Sequence, residues 1–161
     1  MTNNLLFQIR KDLEKKVDPV YKTGASRFFK EKINPLGVRT PIVQKIANRY
    51  YQKIRTKNKN EVFVLCDQLF QKHTFEETMI ALSWLRKQNK DFVEKDFIRM
   101  ENWLKKYINN WAFCDEYCTH AFGYFILKYP QFLPKIKLWT KSTNRWFRRA
   151  SAVILIPLAK Q

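Results

Sequence analysis

Between residues 40 and 54 the apolar positions fall at Ile42, Val43, Ile46, Ala47, Tyr50, Tyr51 and Ile54, the three-to-four-residue recurrence of a helix that buries one face. Thr40 is expected as its N-cap and Pro41 at its first helical position, where a missing N–H costs nothing. The same recurrence predicts helices over about 4–16, 20–32, 60–72, 75–88, 92–108, 111–128 and 142–159. Thr74-Phe-Glu-Glu77 reads as a capping box, in which the threonine hydroxyl and the Glu77 carboxylate satisfy free backbone donors at a helix start. Val62, Phe63, Cys66, Leu69 and Phe70 line one helix, and Phe92, Phe97, Met100, Trp103, Leu104 and Ile108, with Val93, line another. Period-two alternation between turn signals is sustained nowhere, so strands have no support.

Helices joined by two to six residues pack as antiparallel pairs. Pairs repeating at roughly forty residues predict an all-α chain. The expected architecture is a HEAT-like or armadillo-type right-handed solenoid with a concave basic face, forming one domain over 1–161. A compact irregular bundle would give a similar pattern. The last helix runs Ala152-Val-Ile-Leu-Ile-Pro-Leu-Ala159, apolar on every side, and such a helix expects neighbours on both faces. The sequence stops two residues later without the polar outer face of a terminal repeat. A shortened form of a longer protein is therefore expected, or an end that self-associates weakly; otherwise the chain is monomeric.

Charge narrows the partners. The chain carries 31 Lys and Arg against 14 Asp and Glu, a formal net charge of +17, and such an excess repels itself unless a polyanion offsets it. The excess sits at the two ends: residues 1–60 carry +11 and residues 128–161 carry +8, while residues 61–127 carry −2. Basic flanks suit a nucleic-acid backbone, which positions a protein without reading sequence; a generally basic surface, or an RNA-binding role, fits the same composition. Three cysteines, Cys66, Cys114 and Cys118, and no apolar leader point to a reducing, cytoplasmic compartment. No apolar run reaches the roughly eighteen residues of a membrane span.

The candidate chemistry is late in the chain. Trp111 and Asp115, four apart, share one face of a helix whose core stripe is Cys114, Cys118, Ala121 and Phe125. Asp115 then sits at the edge of that stripe, partly desolvated. Taken locally, the opposite assignment is preferred: Asp115 caps a helix starting at Glu116, and Trp111 packs. Arg145 and Arg149 share a face of the last helix beside Arg148, either as a basic edge or as a guanidinium clamp for phosphates or for Asp115. Cys114, Cys118 and His120 raise a metal site, but with no CxxC or HExxH spacing the buried structural cysteine is expected and no metal or other cofactor is assigned. No glycine-rich phosphate loop, nucleophile elbow or paired catalytic carboxylates occur.

Three motifs taken in order change the weighing. Gly37-Val-Arg-Thr-Pro41, Asn110-Trp-Ala-Phe-Cys-Asp115 and Asn144-Arg-Trp-Phe-Arg-Arg-Ala150 resemble the markers of the DNA alkylation repair family, the AlkD-like alkylpurine DNA glycosylases built from HEAT-like repeats. The resemblance runs from about residue 20 to the end. It implies excision of N3- or N7-alkylated purines from double-stranded DNA, held in a concave basic groove without flipping the base into a pocket. It makes Asp115 the catalytic aspartate, Trp111 the aromatic against the lesion nucleotide and Arg149 the neighbouring DNA-contacting arginine. Phe28 falls where the family often has a further aromatic facing the DNA, and Arg39, Lys45, Lys141, Arg145 and Arg148 are candidate DNA-binding residues. The family's further tryptophan, on a helix beyond that of Arg149, has no counterpart.

The implied chemistry is physically consistent with one carboxylate. An N-alkylated purine is already cationic and leaves as a neutral base, so no general acid need protonate it. A second function class, a non-catalytic nucleic-acid-binding repeat protein, predicts salt-sensitive binding without base release. A third, a protein-interaction scaffold for an acidic partner, predicts no useful affinity for duplex DNA.

Overall fold

The computed structural model describes residues 2–160; residues 1 and 161, the two ends of the expected domain, lie outside them. All regular structure among the described residues is helical and no strand occurs, the class that the hydrophobic pattern predicts. The chain divides into two compact units, Met1–Leu85 and Arg86–Gln161.

The first unit holds α1 (Thr2–Glu14), α2 (Pro19–Phe28), α3 (Thr40–Gln52), α4 (Lys59–Phe70) and most of α5 (Phe75–Lys87). Leu6, Ile9 and Leu13 of α1 are buried at three-to-four-residue spacing, and so are Val43, Ile46, Ala47 and Tyr50 of α3, which packs against it. Thr40 is the first helical residue and not the cap. Arg39 supplies the carbonyl that accepts from both Ile42 N and Val43 N, and its own backbone is extended, so the helix begins one residue earlier than the threonine signal suggested. Trp84 of α5, fully buried, donates its indole N–H to the Ala47 carbonyl at 3.0 Å and ties α5 to α3.

Two consecutive glutamates at the start of α5 do different work. The Thr74 hydroxyl accepts from Glu77 N at 3.3 Å, as the capping box requires, but the Glu77 carboxylate is buried and reaches Arg10 of α1 at 3.0 Å. Glu76, 1% exposed, accepts three backbone N–H groups, from Leu36 at 2.8 Å, Gly37 at 2.8 Å and Val38 at 2.9 Å. Gly37 has φ +104°, and a Cβ there would stand 2.8 Å from Lys22 Cβ and 2.9 Å from the Asp18 carbonyl oxygen. Both the backbone angle and the crowding therefore demand glycine. The Gly37-Val38 part of the first motif is thus a loop nailed to a buried carboxylate.

Along the α1–α3 seam, the Tyr50 hydroxyl donates to Asp12 at 2.6 Å, and Arg49 pairs with the same oxygen. The bond from Tyr50, aided by Arg49 and Lys15 against some desolvation, holds the Asp12 carboxyl below its usual range. Burial and the bond to Asp12 push the Tyr50 phenol up to about 12.

The second unit holds α6 (Phe97–Tyr107), α7 (Trp111–Tyr117), α8 (Gly123–Lys128), α9 (Leu133–Leu138), α10 (Arg145–Val153) and α11 (Ile156–Ala159). Three helices expected from the sequence are redrawn here, and one that was not expected is added. The 92–108 helix starts only at Phe97. Asp96 accepts from Val93 N through its carboxylate at 2.8 Å, and Asn89–Asp91 and Glu94–Asp96 form two short 3-10 turns on either side of the extended Phe92 and Val93. The single helix over 111–128 is interrupted by a π-helical segment, Cys118–Phe122, in which Gly123 N reaches the Cys118 carbonyl. Residues 130–141, left outside any helix, form α9 flanked by 3-10 turns at Pro130–Phe132 and Trp139–Lys141. The 142–159 helix starts at Arg145 behind Asn144 and breaks between Val153 and Ile156, ahead of Pro157. Ile154 and Pro157 are buried, whereas Leu155 and Ile156 are 40% and 38% exposed. The terminal apolar run therefore buries one face, not two, because the break turns its other residues outward.

Aromatic rings fill this unit. Phe97 stacks on Phe132 at 4.2 Å, Phe122 meets Trp139 at 5.7 Å, and Trp139 meets Phe147 edge-on at 5.0 Å. Gly123 lies where α8 meets α11: a Cβ there would come within 2.5 Å of the Cys118 carbonyl oxygen, 2.7 Å of Pro157 Cγ and 3.0 Å of the Ile154 carbonyl oxygen. Two of these neighbours are backbone and cannot swing away. Gly123→Ala is expected to destabilise the protein by about 1–3 kcal/mol, the usual cost of overpacking, read as a lower midpoint in urea at unchanged m-value.

Candidate active site

Asn110 starts the site. It is fully buried, its extended backbone precedes α7, and its side-chain oxygen accepts from Phe113 N at 2.9 Å, so α7 begins at Trp111. Asp115 is therefore inside the helix and is not a cap, which overturns the local preference drawn from the sequence. Asn110, five residues upstream, takes that role because its carbonyl also accepts from Cys114 N at 3.1 Å. With the helix set in this register, Trp111 and Asp115 lie one turn apart on the same side, 39% exposed for the tryptophan and 35% for the aspartate side chain.

The neighbouring face of α7 is the seam with α10. Cys114 and Cys118 are buried there, and the Cys114 thiol points at the Trp146 carbonyl at 3.8 Å. Asn144 caps α10 by accepting from Trp146 N at 2.8 Å. Trp146 and Ala150 form its inner face, and the small side chain of Ala150 suits close approach to α7. Arg149, next to Ala150, then reaches across. Its Nε donates to Asp115 Oδ1 at 2.7 Å and its Nη2 to Asp115 Oδ2 at 2.6 Å. This is the parallel two-bond match of guanidinium and carboxylate, which fixes orientation as well as charge. The hydrogen bond to Asp115 is the main cause that holds the Arg149 guanidinium above its already high ordinary pKa.

The groups around the pair offer no competing chemistry. Burial, reinforced by Cys114 and the Asp115 charge, pushes the Cys118 thiol well above its ordinary value, so it stays a neutral core group. Glu116 faces away from Asp115's partner, toward His120 at 3.6 Å and Arg86 at 3.9 Å. Burial, opposed by Glu116 and aided by Arg86 and Lys160, keeps the His120 pKa below its ordinary value, so the imidazole is mostly neutral at pH 7. Among the described residues no group of three or more His, Cys, Asp or Glu side chains is placed to hold a metal ion.

The candidate DNA-binding residues divide between the units. In the second, Lys141 is exposed in the turn before α10, and Arg145 lies over the Trp146 ring at 4.7 Å. Arg148 donates through Nη1 to the Ser142 and Thr143 carbonyls at 2.7 and 3.0 Å, closing the loop that leads into α10. In the first, Phe28 is 71% exposed at the end of α2 with its ring edge-on to Phe29, and Lys45 is exposed on α3. Arg39 pairs with Asp18 at 2.9 Å and lies over the Tyr21 ring at 5.1 Å. Sequence reasoning gave no role to Asn110 or Glu76. Asn110 stands three residues before an apolar pair and is recognisable as a cap, whereas Glu76 accepts from backbone forty residues away and leaves no local signal.

Comparison with known proteins follows the same direction. No curated protein matches the chain. Among solved structures, a predicted DNA alkylation repair enzyme from Enterococcus faecalis is similar with a TM-score of 0.78 at 17% identity, covering 90% of this chain and 68% of its own. That likeness establishes a shared helical fold. The model of the family described as DNA alkylation repair enzyme matches residues 9–161. The chain therefore belongs to the DNA alkylation repair enzyme family, and its role lies in DNA repair.

Proposed function

We propose that this protein is a DNA glycosylase that hydrolyses the N-glycosidic bond of N3- or N7-alkylated purines in duplex DNA, with Asp115 as the catalytic carboxylate. The observation that carries the proposal is the geometry of α7 and α10: a partly exposed carboxylate, oriented on both oxygens by Arg149, one helical turn from an exposed tryptophan. In the reaction the bond between C1′ and the purine nitrogen breaks and its electron pair neutralises the cationic base. Positive charge then develops on the deoxyribose, where a fixed carboxylate stabilises it and orients the attacking water. Water oxygen bonds to C1′, its proton is lost, and the products are a free purine and an abasic site. A leaving group that is cationic from the start explains why a second carboxylate, the acid required by glycosidases acting on neutral groups, is dispensable.

Trp111 fits the same chemistry, because an aromatic face attracts cationic groups. Arg149 has two parts, holding Asp115 and offering a nearby phosphate its remaining N–H groups. The test is a base-release assay on methylated duplex DNA with the purified chain. Release of 7-methylguanine or 3-methyladenine above the spontaneous rate is expected; salt-sensitive binding of the same duplex with no release would replace the glycosylase by a binding protein.

A further inference from the structure

We infer that the first unit carries a separate phosphodiester-binding groove, built between the end of α1 and the outer face of α3. It is a concavity of about 350 Å³ whose wall carries Lys15, Lys16, Lys45 and Arg49 against one acid, Asp12. Ile42 and Ile46 complete the lining, and Ile46 is only 6% exposed, which makes the floor apolar. The walls are helical. Lys15 and Lys16 sit in the closing turn of α1, where their N–H groups bond the Lys11 and Leu13 carbonyls at 3.2 and 2.9 Å, so their position is fixed by the helix end.

The single acid does not neutralise the cations. Asp12 is engaged by the Tyr50 hydroxyl at 2.6 Å and by Arg49, with Lys15 more distant at 3.9 Å. Asp12 acts as a buttress that holds the Arg49 guanidinium at the rim. Lys16 and Lys45 have no ion pair among the described residues. Four like charges gathered at one concavity repel one another, and a polyanion that enters it relieves that repulsion.

A ridge of DNA backbone matches the groove in shape and charge: phosphates meet Lys16, Lys45 and Arg49, and a deoxyribose lies against Ile42 and Ile46. An anionic membrane is the poorer match, since a lipid surface is met by projecting apolar side chains and those of this site lie at the bottom of a depression. The inference rests on DNA as the partner proposed above and adds a contact remote in sequence from Asp115 and Arg149. It concerns affinity and not chemistry.

The test compares the full chain with its Lys16→Gln/Lys45→Gln variant by fluorescence anisotropy on an undamaged duplex across a salt series. A Lys105→Gln/Lys106→Gln variant, with the same loss of net charge on α6, serves as the comparison. Each lost phosphate contact removes about 0.9 from the slope of log affinity against log salt. The groove variant is expected to lose about 1.8 of slope and roughly 30-fold in affinity at 0.15 M salt, with an unchanged melting temperature and a larger loss than the comparison variant. A wild-type slope in the groove variant overturns the inference, as does an equal loss in both variants. So does a loss confined to phosphatidylserine vesicles and absent on duplex. Base release plays no part in this measurement: a protein that releases no base but shows the slope change keeps the groove and discards the glycosylase. The converse result discards the groove alone.

Discussion

Asp115→Asn is expected to slow release of methylated purines by about 10²- to 10³-fold, the effect of removing one fixed electrostatic partner from a transition state. The substitution keeps volume and shape, so α7 and its packing persist. It deletes the negative charge that the deoxyribose cation of the proposed reaction would need, and it replaces one of the two oxygens that accept from Arg149 at 2.6–2.7 Å by a donor. Half of the clamp is then lost. Stability should fall by no more than about 1 kcal/mol, because the pair is over a third exposed and such pairs contribute little in water. Affinity for undamaged duplex should hold or rise, since a carboxylate has gone and the guanidinium is freer for phosphate. Single-turnover release at saturating protein separates these effects. A variant that releases base at the wild-type rate would remove Asp115 from the mechanism and leave the Trp111 face and the basic surface to account for any activity.

The largest effect on stability is expected from Glu76→Ala, about 3–5 kcal/mol, in line with the loss of one partner from a buried charged network. The carboxylate is 1% exposed and accepts three successive N–H groups at 2.8–2.9 Å. Removing it leaves the Leu36, Gly37 and Val38 donors with no acceptor, in a loop that water reaches poorly, and each unsatisfied donor costs about 1–3 kcal/mol. Glu76→Gln separates charge from shape. One amide oxygen is retained and the facing NH₂ repels its backbone partners, so an intermediate loss is expected. Urea midpoints for the two variants provide the check, and a stability within about 0.5 kcal/mol of wild type for Glu76→Ala would show that the loop finds other acceptors at little cost. Loosening here also frees the segment that presents Arg39 and starts α3.

Legibility in the sequence followed the length of each element. The thirteen residues of α3 gave several repeats of the apolar spacing, and Val43, Ile46, Ala47 and Tyr50 are the residues buried. In α9, six residues long and preceded by a proline-led turn, there is less than two turns of period, and Ile136, with Trp139 in the turn that follows, reads as a loop residue although both are core. The interruption after α7 was invisible for another reason. Cys114, Cys118, Ala121 and Phe125 keep an acceptable helical spacing through it, and all four are buried as expected. Spacing records which side faces inward and not how the backbone carbonyls are paired.

The candidate site was legible in its members and not in its arrangement. Arg149 as a partner for Asp115 was one of three assignments open from the sequence, beside a phosphate clamp and a basic edge, and the structure brings the two side chains together across 34 residues. The cap assigned to Asp115 failed because capping depends on which residue leaves the helical backbone, and the buried Asn110 does so first. The groove at α1 and α3 is not legible in the sequence as a groove. Its cations come from two helices whose apposition no local pattern announces, and only Lys45 among them had been singled out.

The buried cysteines have a consequence for the setting in which such a protein works. Electrophiles that alkylate purine nitrogens also attack sulfur, and they do so through the thiolate. Cys66, Cys114 and Cys118 are all fully buried, and burial drives Cys118 further toward the unreactive protonated form. An agent in solution thus meets none of the three sulfurs at the surface, including the two that back directly onto Asp115. In a member of the DNA alkylation repair enzyme family, the thiols beside the proposed catalytic carboxylate are thereby shielded from reagents of the kind that alkylate DNA.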